Sequence, residues 1–191
     1  MAIVDVPTFQ DYVRDTLAGV AVNRLSQALA AAEQMVNAHC HRVFVVAGAT
    51  ATARVFVPSS AEMLRVDDFV EATAISNDGT SVTADYQLEP LNGIDAAGNA
   101  VPYHQLVRTS GSWTRDGKRA TVTVTARWGW PAIPDAVKEA LLIFAKDIAW
   151  QRELKGDVAG FSDFGAVRIR SNPLAAGLLH DFVRWDRNGI A

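Results

Sequence analysis

Apolar and polar positions along the chain change period three times. Pro7 to Ala18 places Phe9, Tyr12, Val13 and Leu17 on one side at helical spacing, with acids near its start, where a helix dipole favours them. After Gly19, Val22 to Cys40 carries Leu25, Ala28, Leu29, Ala32, Val36 and Cys40 on one stripe. Arg24, Gln27, Glu33 and Asn37 fall elsewhere, so this segment predicts an amphipathic helix.

From Arg42 to Trp130 the pattern becomes β-like. The stretch VFVVAGATATARVFVP is β-branched and broken at Gly48, which predicts two short strands, the second with Ala53, Val55 and Val57 facing one way. Leu64 and Val66 alternate in the same manner, and Phe69 to Ile75 predicts a further strand. Asn77-Asp78-Gly79 is a hairpin signal, because these residues tolerate the positive φ of a tight turn. Asp116-Gly117 is a second, and LNGIDAAGNAVP between them reads as a surface loop. Connections too short for helical crossovers predict five to seven antiparallel strands, on the order expected of a small sheet.

The third change falls in TVTVTARWGWPAIPDAVKEA. Val122, Val124, Ala126, Trp128 and Trp130 share one face of a strand; Thr121, Thr123, Thr125 and Arg127 share the other. Pro131 ends the strand, Pro134 suits a first helical turn, and Asp135 puts a carboxylate there. Trp128, Gly129, Trp130, Pro131 and Pro134 are therefore expected to form a structural joint leading into a helix that reaches about Leu154, roughly 32 Å long. That helix has Val137, Ala140, Leu141, Phe144 and Ile148 on one stripe and further apolar residues on other sides, so part of its surface is expected to be covered by another subunit. Leu142, Ile143, Lys146 and Trp150 are the candidates for that subunit interface. A glycine-rich segment, GDVAGFSDFGAVRIRSNP, then leads to a short helix with Asn172 as N-cap, Pro173 at its first position, and Leu174, Leu178, Leu179, Phe182 and Trp185 on its apolar side.

The fold class these elements predict is α+β: a helical bundle, made of two N-terminal helices, one long central helix and one short C-terminal helix, with an inserted antiparallel β-rich subdomain. The expected division is residues 1–41 for the helix pair, 42–130 for the β-rich part, 131–155 for the long helix, and 156–191 for the glycine-rich segment and docking helix.

Composition narrows the function more by exclusion than by suggestion. The 191 residues include 49% apolar and 20% charged positions, an ordinary globular balance, and the net charge of -3 offers no broad nucleic-acid footprint. The single cysteine, Cys40, allows no intrachain disulfide. The opening MAIVDVPTFQDYVRD lacks the basic-then-apolar order of a signal peptide, and no apolar run approaches the ~18 residues of a membrane span. A soluble protein made in a cytoplasm is expected.

Candidate chemistry fails on context. Asp163-Phe164-Gly165 spells a kinase magnesium motif without the loops that accompany it, and Gly160-Phe161-Ser162-Asp163-Phe164 misses a nucleophile elbow by one residue. His39-Cys40-His41 sits at a helix end, where neighbours point apart and His104 and His180 form no second cluster; one half-buried thiol between surface histidines is expected. Asp67-Asp68 reads as a turn or a solvated edge rather than an acid pair. No phosphate loop or dinucleotide fingerprint is present. No enzyme activity, metal or cofactor is expected.

The order of features, however, resembles a family. The helix pair, Asp85-Tyr86-Gln87-Leu88-Glu89-Pro90, Val122 to Pro131 followed by Ile133 to Ala140, and the tail Gly160 to Arg170 with Asn172-Pro173 and Leu178-Leu179 look like the head–tail connector (adaptor) proteins of long-tailed bacteriophages. The similarity runs from about Phe9 to Arg184. Two departures stand out: the β-rich middle, which the family's smaller, nearly all-helical members lack, and Asn172-Pro173 where the family would have Asp-Pro.

The resemblance implies a virion structural protein in the neck, made in the host bacterium's cytoplasm. It implies a homo-oligomeric ring, commonly of about twelve subunits, that docks on the portal protein and carries the stopper or other tail-completion protein. Double-stranded DNA would pass through its lumen without sequence-specific binding, and no membrane is involved. A head-to-tail interface that closes gives such a ring. The segment Gly156 to Trp185 is then expected to order on portal docking, with Phe161, Phe164, Leu178, Leu179, Phe182 and Trp185 as apolar anchors and Arg168 and Arg170 meeting acidic portal groups. Two alternatives are a stopper or tail-completion protein, and a small β-barrel binding single-stranded nucleic acid through Tyr86, Tyr103 and Trp113.

Overall fold

A computed structural model describes residues 3–17, 19–95, 98–154 and 172–185. The chain divides into two compact units: residues 1–42 together with 133–191, and residues 43–132.

In the first unit, α1 (Val6–Val13) starts where the Asp5 side chain accepts the Thr8 N–H at 2.9 Å. It ends at Val13, earlier than its apolar spacing suggests, and Leu17 is buried from the turn that follows. α2 (Val22–Cys40) buries Leu25, Ala28, Leu29, Ala32, Val36 and Cys40, the stripe expected from spacing. His41 closes it in the left-handed region (φ 51°), so that the N–H groups of His41 and Arg42 return to the carbonyls of Ala38 and Asn37. α3 (Asp135–Leu154) packs against α2 and α4 (Pro173–Leu179). The Asn172 Oδ1 accepts the Ala175 N–H at 3.2 Å to cap α4. Two further bonds tie the unit together: the Tyr12 hydroxyl donates to Glu139 at 3.1 Å, and the Arg184 N–H to the Cys40 carbonyl at 3.0 Å.

The second unit is one antiparallel sheet of β1 (Thr52–Phe56), β2 (Met63–Asn77), β3 (Thr80–Ser81), β4 (Tyr86–Glu89), β5 (Tyr103–Arg108) and β6 (Val122–Trp128). The strands lie in the order β1-β6-β2-β5-β4, with β3 paired to β2. Asp78 and Gly79, both at positive φ, make the tight turn between β2 and β3. The core gathers Leu64, Val66, Phe69, Ile75, Leu106, Trp113, Val122, Val124, Ala126 and Trp128.

The expected helical bundle is corrected. Among the described residues the α+β chain is dominated by its six-stranded sheet, and two of the four α-helices, α1 and α4, have only eight and seven residues, too short to line a bundle round one central helix. Two local expectations also change. Asp67 and Asp68 lie within a continuous 15-residue strand, not at a turn, because a register shift after Arg65 lets β2 run on through them. The segment before Gly48 forms only an isolated bridge, Val46 to Trp130. Ala53 and Val55 fall on one face of β1 as expected, Val57 lies just past its end, and all three are exposed.

Candidate interaction surfaces

Both ends of the sheet unit are strapped together at the Trp-Gly-Trp stretch. The Trp130 N–H donates to the Val45 carbonyl at 2.7 Å, and its carbonyl accepts the Ala47 N–H at 2.9 Å. The Phe44 and Trp130 rings lie 5.1 Å apart. Gly129 makes this approach possible: its φ is +124°, and a Cβ there would stand 2.5 Å from the Val45 carbonyl oxygen. Trp128 faces the core, donates Nε1–H to the Thr52 carbonyl at 2.8 Å, and packs against Phe56 and Phe69. The Arg54 guanidinium sits 4.5 Å above its ring and pairs with Asp67 at 2.8 Å. Pro131 is exposed, and in the helical unit the Pro134 carbonyl accepts the Val137 and Lys138 N–H groups as α3 begins.

Beside this clasp an open cleft of about 430 Å³ is lined by Ala47, Val70, Glu71, Arg127, Trp130 and Pro131. Arg127 already spends its guanidinium on Glu71 at 3.2 Å and on the Gly48 carbonyl at 2.9 Å, so the cleft presents an internally satisfied ion pair rather than a charge awaiting a ligand.

On the helical unit, the side chains proposed from sequence separate by accessibility. Leu179 is fully buried and Leu142 is buried, so both are packed within their own chain. Leu178, Phe182, Ile143 and Lys146 are half-buried. Trp150 and Trp185 are exposed, and Leu174, expected on the apolar inner side of its helix, is 66% exposed instead. The face of α4 turned inward is Ala175 and Leu179. Phe161, Phe164, Arg168 and Arg170 lie outside the described residues.

Titratable groups follow their surroundings. Burial pushes the Cys40 thiol from 9.0 up to about 12, with Arg42 opposing. Cys40 is fully buried, more than the half-buried thiol expected. Burial and the bond to Glu139 raise Tyr12, while bonds from Thr8 lower Asp5 and Lys138 lowers Asp135. Among the described residues, no group of three or more His, Cys, Asp or Glu is placed to hold a metal, and no helix is long and apolar enough to cross a membrane. Trp113, a candidate stacking platform, is only 2% exposed: its Nε1–H donates to the Glu62 carbonyl and Arg108 lies 5.1 Å over its ring. The sheet is an open one with terminal strands β1 and β4, not a closed barrel.

The surfaces available are thus edges and apolar patches on a two-unit α+β fold. That fold has solved counterparts. The chain is similar to a chain in the neck of an empty gene transfer agent (GTA) particle computed with C6 symmetry, at 17% identity and a TM-score of 0.54, covering 95% of this chain and 89% of that one. It is equally similar to a chain in the virion of a native gene transfer agent particle, at 18% identity, a TM-score of 0.54 and the same coverage, 95% and 89%. At these identities it is the fold that is shared. No protein-family model matches the sequence, and no curated protein matches it.

Proposed function

We propose that this chain is a structural, non-enzymatic protein of the neck of a phage-like particle, and within the neck the head–tail connector. The observation that carries this is a likeness in fold to chains of gene transfer agent particles, one of them in the neck, that spans nearly the whole of both molecules. The ordered motifs from Asp85-Tyr86 to Asn172-Pro173 point the same way. In this role the chain forms a ring on the portal protein, carries the stopper or tail-completion protein, and lets double-stranded DNA through its lumen. A net charge of -3 suits a channel through which phosphates slide, because dense positive charge would hold them by counterion release. Portal docking falls to Phe161, Phe164, Arg168 and Arg170 with Leu178, Phe182 and Trp185, while Ile143, Lys146 and Trp150 meet the next subunit.

The test mixes purified protein with DNA-filled capsids that lack connector and tail, sediments them, and images the vertex. Co-sedimentation with a new ring of density at the portal is expected and gives the copy number. Absence of binding to intact portal vertices overturns the connector function.

A further inference from the structure

We propose that copies of this chain associate head to tail through their sheets, the β1 edge of one copy pairing with the β4 edge of the next. The proposal deepens the ring-forming role above and rests on it only for the number of copies.

β1 and β4 are the terminal strands of one open sheet, so each has a row of main-chain groups that no other described strand pairs. β1 lacks the devices that usually blunt an edge: Thr52 to Phe56 contains no proline, no lysine and no bulge. Its residues are exposed on both faces up to Phe56, and Val55 is 65% exposed. Val57 follows, also exposed. The far edge carries its own exposed aliphatic pair, Leu91 and Ile94, directly after β4. Two apolar strips at opposite edges of one sheet are what a repeating contact would bury.

Charge selects the partner. The charge within β1 is Arg54, which stays 46% exposed while paired to Asp67. The β4 edge carries Asp85 and Glu89 and no base from Asp85 to Glu89. Pairing β1 with a second β1 would bring arginines together, and pairing β4 with a second β4 would bring carboxylates together. Only the unlike pairing sets opposite charges across the seam, and like charges facing across a strand pair are destabilising. An unlike pairing leaves a free edge at each end of every open oligomer. Such a heterologous contact closes into a ring where its rotation allows and otherwise makes filaments.

The test places cysteines at exposed positions on or beside the two edges, Val55 and Leu91. Val55→Cys and Leu91→Cys in one chain, treated with a short bismaleimide, are expected to give a ladder of covalent oligomers. The two single variants mixed are expected to give a dimer, and each alone none. The native Cys40 is buried and serves as a silent background. The reaction is run on free protein and on protein bound to portal vertices. A dimer from Val55→Cys alone means β1 pairs with itself and overturns the proposal, as does absence of cross-links in both states. Binding to vertices without cross-links removes the edge contact and leaves the connector function standing; cross-links without vertex binding do the reverse. Val55→Glu puts a carboxylate on β1 against the acidic β4 edge, and is expected to abolish self-association with an unchanged melting temperature. Assembly of that variant like the parent overturns the proposal.

Discussion

Gly129 is the residue whose backbone leaves least freedom for substitution. Its φ of +124° and the 2.5 Å approach of the Val45 carbonyl leave no room for a side chain. Gly129→Ala is expected to cost at least about 2 kcal/mol, since strain of this kind persists only where surrounding bonds enforce it. It should also loosen the Trp130–Val45 bond, read as a changed near-ultraviolet tryptophan signal. Gly48, whose Cβ would meet nothing within 4 Å, is the control: Gly48→Ala should stay within about 0.5 kcal/mol in the same denaturant titration. Cys40 makes a second prediction. Its folded pKa of about 12 lies above the ordinary 9.0, so the native thiol keeps its proton while the unfolded chain loses it. Its contribution is intact below about pH 9 and falls as pH rises toward 12, with Tyr12 adding in the same direction. Thermal melts from pH 8 upward should show this decline, shallower in Cys40→Ala, and a thiol reagent should label Cys40 only on unfolding. The sequence marked the WGWP stretch as a place where the chain changes period, but its main-chain partner within the sheet unit, Val45 to Ala47, left no mark. Two short lengths of backbone held by main-chain bonds leave no side-chain signature.

At the scale of elements, legibility followed how completely one face is buried. α2 and β6 show their periods plainly because each turns one full stripe to a core, Leu25 to Cys40 and Val122 to Trp128. β2 concealed its length. Leu64, Val66 and Asp68 are buried at even positions, then Phe69 and Ile75 at odd ones, so a break in parity looked like a break in the strand. β1 was legible as a strand from its alternation, although that alternation lies on an exposed edge rather than over a core. The bundle expectation failed on helix length, since apolar spacing set no end for α1 and α4, which span only eight and seven residues. Asn172 makes two bonds that account for an asparagine at this position. Its Oδ1 caps α4 while its Nδ2 donates to Asp147 at 3.4 Å, which an aspartate could not do. Asn172→Ala is therefore expected to lose about 1 kcal/mol of stability, the worth of a cap. Asn172→Asp keeps the cap but opposes Asp147, and should melt below the parent at neutral pH and recover part of the difference in acid.

For the whole molecule, the question is which apolar residues hold the chain together and which are left for partners. α4 separates the two within a few residues. Leu179 is fully buried, and Leu179→Ala is expected to destabilise the chain by roughly 2–5 kcal/mol, the range for emptying a packed leucine site. Leu174 and Trp185 are 66% and 64% exposed, so replacing them removes little packing. If the short helix faces the portal, the double variant Leu174→Ala with Trp185→Ala should melt within a degree or two of the parent yet bind vertices at least about tenfold more weakly, because exposed tryptophans that become buried dominate interfaces. Unfolding curves and vertex sedimentation on the same samples separate the two roles. Parent-like binding by a stable double variant would move the docking surface off α4, and the exposed Trp150 on α3 would be the next residue to replace. A variant that loses stability and binding together would instead assign Leu174 and Trp185 to the chain's own packing.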